Sequence, residues 1–291
     1  MHPAPSVILF TVLSGLGFGF LAFLGWGVVL PSGFTAFVVW GIGYGLAVGG
    51  LLAATFHLGN PQRALLAFSQ WRSSWLSREA WAAVLTLILL APVALSDWLG
   101  LGWPRGTGMA GAVMCGVTVL ATSMIYAQIK AVPRWHHWIT PLLFLSFAAT
   151  GGAILAGEAR TAVLLSVGLA VVLWLAFFIG DRQFAARGAS MESATGLGGI
   201  GKVAVFELPH TGQNYLLREM IFVVGRKHVA KLRMIAMLAA AFAPTAVFVM
   251  LPMHVVTVGL AIVLHLLGAF AARWLFFAEA EHVVGLYYGK R

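Results

Sequence analysis

The sequence predicts an all-α, polytopic membrane protein with eight transmembrane helices packed as up-down antiparallel bundles. Three observations carry this. Of 291 residues, 60% are hydrophobic and 9% charged, with mean hydropathy +0.93; a water-facing domain uses about 25% charged residues to clothe its surface. The apolar residues also fall in continuous runs of roughly 20, the length that crosses a hydrocarbon core. A membrane β-barrel would instead alternate at period two over about ten residues. Finally, the 18 Lys and Arg residues are segregated: fifteen fall on the side that carries the N-terminus, Arg105 and Arg160 on the other, and Arg273 within the last run.

The runs follow in order. The first spans 5–30; its Met-His-Pro-Ala-Pro start holds no Lys or Arg and the run is too long for a signal peptide, so it reads as a retained helix. The turn Pro31-Ser32-Gly33 makes a tight hairpin to the second, 33–55. The third (80–100) and fourth (107–128) pair through Gly102-Trp103-Pro104. The fifth and sixth cover 138–157 and 162–180. The seventh (234–251) and eighth (254–278) are joined at Leu251-Pro252. The basic side faces the cytoplasm by the positive-inside rule. That sets both termini in the cytoplasm.

Three segments on the basic side are too elaborate to be connectors: His57–Glu79, Ile129–Trp138 and 181–233. The last is expected to be a cytoplasmic partner-docking loop. It contains a short amphipathic helix around Tyr215–Val229, with Leu216, Met220, Val223 and Val224 on one face, which suits a headgroup layer as well as a soluble partner. Its Gly196-Leu-Gly198-Gly-Ile-Gly201-Lys202 run imitates a phosphate-binding loop. A phosphate cradle needs a strand before it and a helix after it, and Val203 stands where a magnesium-binding hydroxyl belongs. The run reads better as a flexible glycine segment against a partner.

Composition also excludes chemistry. One cysteine, Cys115, cannot hold an iron–sulfur cluster or a thiolate zinc site. A bis-histidine haem b needs two histidines at one depth on facing helices; only His265 is mid-span, so haem b is not expected and no metal ligand set is assigned. The basic excess reports orientation rather than nucleic-acid binding.

Ionisable groups at membrane depth are costly and point to function. His57-Leu-Gly-Asn-Pro61-Gln-Arg63 follows the second span, and Glu79 enters the third at about the same depth. A histidine, an arginine and a carboxylate beside lipid suit proton exchange with a quinone; a helix-capping histidine and a snorkelling arginine explain the same residues. Trp135 and Trp138 in Val132-Pro-Arg134-Trp-His-His-Trp138-Ile-Thr-Pro141 read first as interfacial belt anchors.

Taken together, the opening Met-His-Pro-Ala-Pro-Ser-Val, His57-Leu-Gly-Asn-Pro-Gln-Arg63-Ala, Leu76-Ser-Arg-Glu79 and the Val132–Pro141 segment resemble the DmsC family. Its members are membrane-anchor subunits of molybdenum oxidoreductases of the dimethyl sulfoxide reductase type. The Glu192–Met220 loop looks most like the SoeC-type branch that anchors cytoplasmic sulfite dehydrogenase. The resemblance implies a three-subunit enzyme. A molybdopterin catalytic subunit and a ferredoxin-like iron–sulfur subunit would lie on the membrane, holding all molybdenum and iron–sulfur centres, while this chain exchanges electrons with ubiquinone or menaquinone. It implies a quinone site at His57 and Glu79, with Arg63 and Trp138 beside them. Docking is expected at Arg134, His210, Tyr215 and Arg218. Passage of electrons from sulfite to the quinone pool is the leading expectation. A dimethyl sulfoxide reductase-type anchor oxidising quinol, or a secondary transporter, is the alternative.

Overall fold

The computed structural model describes residues 1–57, 60–207, 210, 212, 214–220 and 228–288, with the side chain of His57 outside the description. Every regular element among them is helical. In order these are α1 (Pro5–Trp26), α2 (Gly33–Ala53), α3 (Trp75–Leu99), α4 (Gly106–Ala127), α5 (Ile139–Leu155), α6 (Ala159–Ala186), the short α7 (Met191–Thr195), α8 (Val229–Met237), α9 (Ala243–Met250) and α10 (Val255–Ala278). The π-helical turn Leu238–Phe242 joins α8 to α9, so the two run as one helix. Among the described residues seven helices are long and apolar enough to cross a membrane, and α5, at 17 residues, is shorter.

The central helix is α1, which packs on α2, α4, α5 and α10 and fully buries Phe18, Leu21 and Leu24. Lipid offers no hydrophobic drive between helices, so close backbone approach must supply the contact. Glycine makes this possible where α1 crosses α5: a Cβ on Gly19 would collide with the Ala148 carbonyl, and one on Gly152 with the Gly19 backbone. The same device seats α10 on the π turn, where a Cβ on Gly268 would overlap Ala240. That turn frees the Ala240 carbonyl, which accepts a hydrogen bond from His265 Nδ1 at 2.8 Å.

At one end of the bundle Arg105 donates to Asp97 (2.8 Å) and to the Leu24 carbonyl (2.7 Å), while Trp40 Nε1 donates to the same aspartate. This ties α1 and α2 to the α3–α4 hairpin. At the other end the chain meets itself, because the Met1 ammonium donates to Ala280 O at 2.7 Å. Val283 N donates to Ala131 O at 2.9 Å, which docks the C-terminal 3-10 turn Val283–Tyr288 on the α4–α5 loop.

Several helices exceed their sequence expectation. α3 begins at Trp75, not Ala80, and α6 runs on past Gly180 to Ala186. The cause is that the charged residues there are housed. Arg78 lies over the Trp75 ring, Arg182 lies 3.5 Å over Phe178 and donates to its carbonyl, and Asp181 is ion-paired. In the 181–233 segment the expected amphipathic helix is described only at its two ends, where Leu216–Met220 forms a π turn and Val229 begins α8; Val223 and Val224 lie outside the described residues. The glycine-rich run follows helix α7 and opens into coil at 202–205, the reverse of a phosphate cradle.

Candidate functional site

The segment Pro61–Phe68 coils as 3-10 turns after the turn Ala54–His57 and lies against α3. Proline at its first position loses nothing, because the missing N–H would be unpaired there. Phe68 meets the Trp81 ring edge-on at 5.3 Å, and Trp81 Nε1 donates to the Phe68 carbonyl at 3.0 Å. Arg78 braces the return, with Nε donating to Trp71 O (3.0 Å) and Nη2 to Arg72 O (2.7 Å). Between this segment, α3 and α4 lies a groove of about 610 Å³, lined by Phe68, Trp71, Arg78, Trp81, Leu85 and Met114 among others. Its walls are apolar and aromatic apart from Arg78. Trp81 and Leu85 are about half exposed on the outer face of α3, the face that meets lipid. Such a groove fits a flat apolar ring with a hydrocarbon tail.

Behind the groove, α3 and α4 share a polar seam. Glu79 is 3% exposed and accepts a 2.5 Å hydrogen bond from Thr122, whose hydroxyl also bonds to Thr118 O. Thr118 and Thr86 hydroxyls are 3.0 Å apart, and each donates to its own helix, at Met114 O and Ala82 O. Ala82 and Met114 belong to the groove lining. Threonine hydroxyls thus line the α3–α4 seam between the buried carboxyl and two residues of the groove wall.

Other expected site residues are placed differently. Arg63 is exposed on the 61–68 segment, and among the described residues no bond joins it to Glu79. Trp138 is 60% exposed at the start of α5, which packs on α1, α4, α6 and α10, and it is not among the residues that line the groove. The backbone of His57 closes the turn that touches the 61–68 segment.

Trp135, read as a belt anchor, is instead buried at 3%. It stacks on Phe276 at 5.3 Å and donates to the Phe276 carbonyl, inside an aromatic cluster with Tyr126, Phe144 and Phe277. Beside it, His137 has its proton affinity lowered by partial burial and by the neighbouring His136.

Of the residues expected to dock a partner, Arg134 is spent inside the chain. It pairs with Asp181 at 2.9 Å and with Glu279, while Arg233 pairs with the same two carboxylates at 2.5 and 2.7 Å. His210 stacks on Tyr288, Asn214 donates to the Tyr288 hydroxyl, and His2 N donates to Glu219 O. These contacts clasp His210, Asn214 and Glu219 between the chain ends and leave Tyr215 and Arg218 outward. The cavity beside His265 measures about 20 Å³, room for a water. Among the described residues no cluster of three or more His, Cys, Asp or Glu could hold a metal.

Sequence reasoning missed Arg78, Trp81 and Thr122. The tryptophans at 71, 75 and 81 interleaved with Arg72 and Arg78 were the available signal for the groove. Nothing local marks Thr122, an ordinary residue in a span.

Fold and groove together define a polytopic helical membrane protein with a recess open to lipid at one edge. The profile of the family described as "DMSO reductase anchor subunit (DmsC)" matches residues 1–279. The chain belongs to that family, and is therefore the membrane anchor of a molybdenum enzyme complex with catalytic and iron–sulfur subunits. The C subunit of the sulfite dehydrogenase of Allochromatium vinosum is 27% identical over 331 aligned positions, covering 99% of each chain. No solved structure matches.

Proposed function

We propose that the chain anchors a sulfite-oxidising molybdenum enzyme at the bacterial cytoplasmic membrane and passes its electrons to quinone in the groove between the 61–68 segment and α3. The observation that carries this is the apolar groove walled on α3 by Arg78 and Ala82, with the buried Glu79 between them in the chain. A quinone supplies an acceptor for two electrons from the iron–sulfur subunit and takes up two protons at its oxygens as it becomes quinol. The residues of this chain bind, orient and exchange the proton. Aromatic walls at Phe68, Trp71 and Trp81 take the ring and hold out water. Arg78 spends Nε and Nη2 on the Trp71 and Arg72 carbonyls, so Nη1 is the donor that meets a ring oxygen. Glu79 holds the proton at its carboxyl, one helical turn from Ala82 in the groove wall. His57 joins this site in our reading because its turn abuts the 61–68 segment.

The Met1–Ala280 bond, which brings Met1 to the residues just after α10, supports an even number of passes; with α5 added to the seven longer helices that number is eight, and the basic excess on that side favours a cytoplasmic face. The exposed Tyr215 and Arg218 then lie on the side where the iron–sulfur subunit docks. The test is quinone-linked sulfite oxidation by the purified complex. Arg78→Gln and Glu79→Gln lower it at least about tenfold, and artificial-dye turnover, which bypasses this chain, reports that the complex has assembled. Unchanged quinone-linked turnover in both variants overturns the assignment.

A further inference from the structure

A second polar feature lies on the other side of Glu79, away from the groove. Among α1, α4, α5 and α10 is an internal cavity of about 20 Å³ whose walls include Thr11, Ser14, Thr122, His265 and Arg273. Arg273 is 5% exposed and lies 3.6 Å over the Phe144 ring. Its Nη1 has no hydrogen-bond partner among the described residues. A buried guanidinium nitrogen without an acceptor is costly, and native proteins satisfy such groups with ordered water.

The donor and acceptor inventory of the walls matches water. Thr11 and Ser14 give their hydroxyl protons to carbonyls of α1 (Val7 and Ile8, and Phe10), which leaves oxygen lone pairs as acceptors. Thr122 gives its proton to Glu79 and likewise keeps a lone pair. A guanidinium N–H and three hydroxyl oxygens offer one donor and several acceptors, the two to four partners a buried water needs. The volume is at least that of one probe sphere, the minimum for a water.

We propose that this cavity is a hydration site whose water accepts from Arg273 Nη1 and donates to the hydroxyl oxygens of Thr122 and Ser14. Through Thr122 it makes a water-bridged connection between Arg273 on α10 and Glu79 on α3. Glu79 then has two faces: one toward the groove, and one, through Thr122, toward an internal water that receives or returns its proton. The functional half of this rests on the reading of Glu79 given above; the hydration site does not.

Two measurements on the intact complex test it. A cryo-electron microscopy map fine enough to show other bundle waters should contain a peak within hydrogen-bond distance of Arg273 Nη1 and a wall hydroxyl. An empty cavity in such a map overturns the site. Second, infrared spectroscopy follows hydrogen–deuterium exchange of the Glu79 carboxyl, identified as the band lost in Glu79→Gln. Exchange should slow about tenfold in Thr122→Val and in Arg273→Met, each of which removes one link of the bridge. Arg273→Lys, which keeps a donor, should restore much of the rate. An unchanged rate in Thr122→Val overturns the bridge even if Arg273→Met fails to assemble. The two readings separate cleanly. Normal quinone turnover in Glu79→Gln with slowed exchange in Thr122→Val removes the quinone assignment and keeps the bridge; lowered turnover with an unchanged exchange rate removes the bridge and keeps the quinone assignment.

Discussion

Arg233 on α8 and Asp181 on α6 are joined by two hydrogen bonds, Nη1 to Oδ2 at 2.7 Å and Nη2 to Oδ1 at 2.5 Å. The same guanidinium reaches Glu279 through Nε, and Arg134 from the α4–α5 loop reaches both carboxylates. Four side chains thus lock α6, α8 and the end of α10 to the loop that also carries buried Trp135. Their two carboxylates are not equivalent. The Asp181 side chain is 45% exposed and Glu279 6%, so water can replace the first partner but not the second.

The first prediction follows from that asymmetry. Glu279→Gln leaves two arginines short of charge in a poorly hydrated place and should cost about 2–3 kcal/mol, at the low end of what breaking a buried pair costs because Asp181 remains. Asp181→Asn should cost under about 1 kcal/mol. Thermal unfolding of the detergent-solubilised complex measures both, and equal shifts would contradict the ranking.

A second prediction concerns the α1–α5 crossing. Gly152→Val puts a branched side chain into the Gly19 backbone, and overpacking in a bundle that cannot separate costs about 1–3 kcal/mol or more. Membrane insertion continues, because the run stays apolar, but the anchor should no longer hold its partner subunits at the membrane. Gly168→Val on lipid-facing α6, where a Cβ meets nothing within 4 Å, is the control and should assemble normally. Fractionation of catalytic activity between membrane and soluble extract reads the difference.

The chain-end clasp should respond to pH. His282 Nδ1 accepts from Val284 N at 3.0 Å, so the folded state uses the neutral ring. Burial, helped by the nearby N-terminal ammonium, lowers its proton affinity. As pH falls through the ordinary histidine value of about 6.5, the unfolded segment takes up a proton more readily than the folded one. Stability of the clasp is therefore complete above that pH and is lost progressively below it. Amide hydrogen exchange over 280–288, corrected for intrinsic rate, should accelerate on acidification. His282→Asn, which can accept from Val284 N through its side-chain oxygen, should flatten the response.

What the sequence could show follows the range of the interactions. Apolar runs are local, so the helices were legible, and Glu79 stood out because a carboxylate at membrane depth is rare. Helix ends were misjudged where charges looked like loop: Asp181 stays helical because partners 47 or 52 residues away absorb its charge, and Arg182 and Arg78 because each lies over a ring within one turn of its own helix. Thr122 meets Glu79 across 43 positions, and no spacing rule reaches that far. Trp135 and Trp138 are three apart in one motif, yet one is core and the other exposed. That distinction belongs to how the loop folds against α10.

The groove itself can be tested by filling it. Leu85 is 46% exposed on the outer face of α3 and lines the recess without supporting the helix core. A tryptophan there has room to fold, because its neighbours on that side are lipid rather than packed helix. It occupies part of the space the ring of a quinone would take, while Glu79, Thr122 and the Arg78 bonds stay in place. Loss of a few good apolar contacts changes selectivity by about tenfold or more, so Leu85→Trp should raise the apparent KM for a short-chain quinone by that factor with little change in kcat at saturation. Val167→Trp, a comparably exposed position on α6 remote from the groove, should leave the KM as it was. Matching behaviour of the two variants in a quinone titration of the membrane-bound complex would place the quinone somewhere other than between the 61–68 segment and α3.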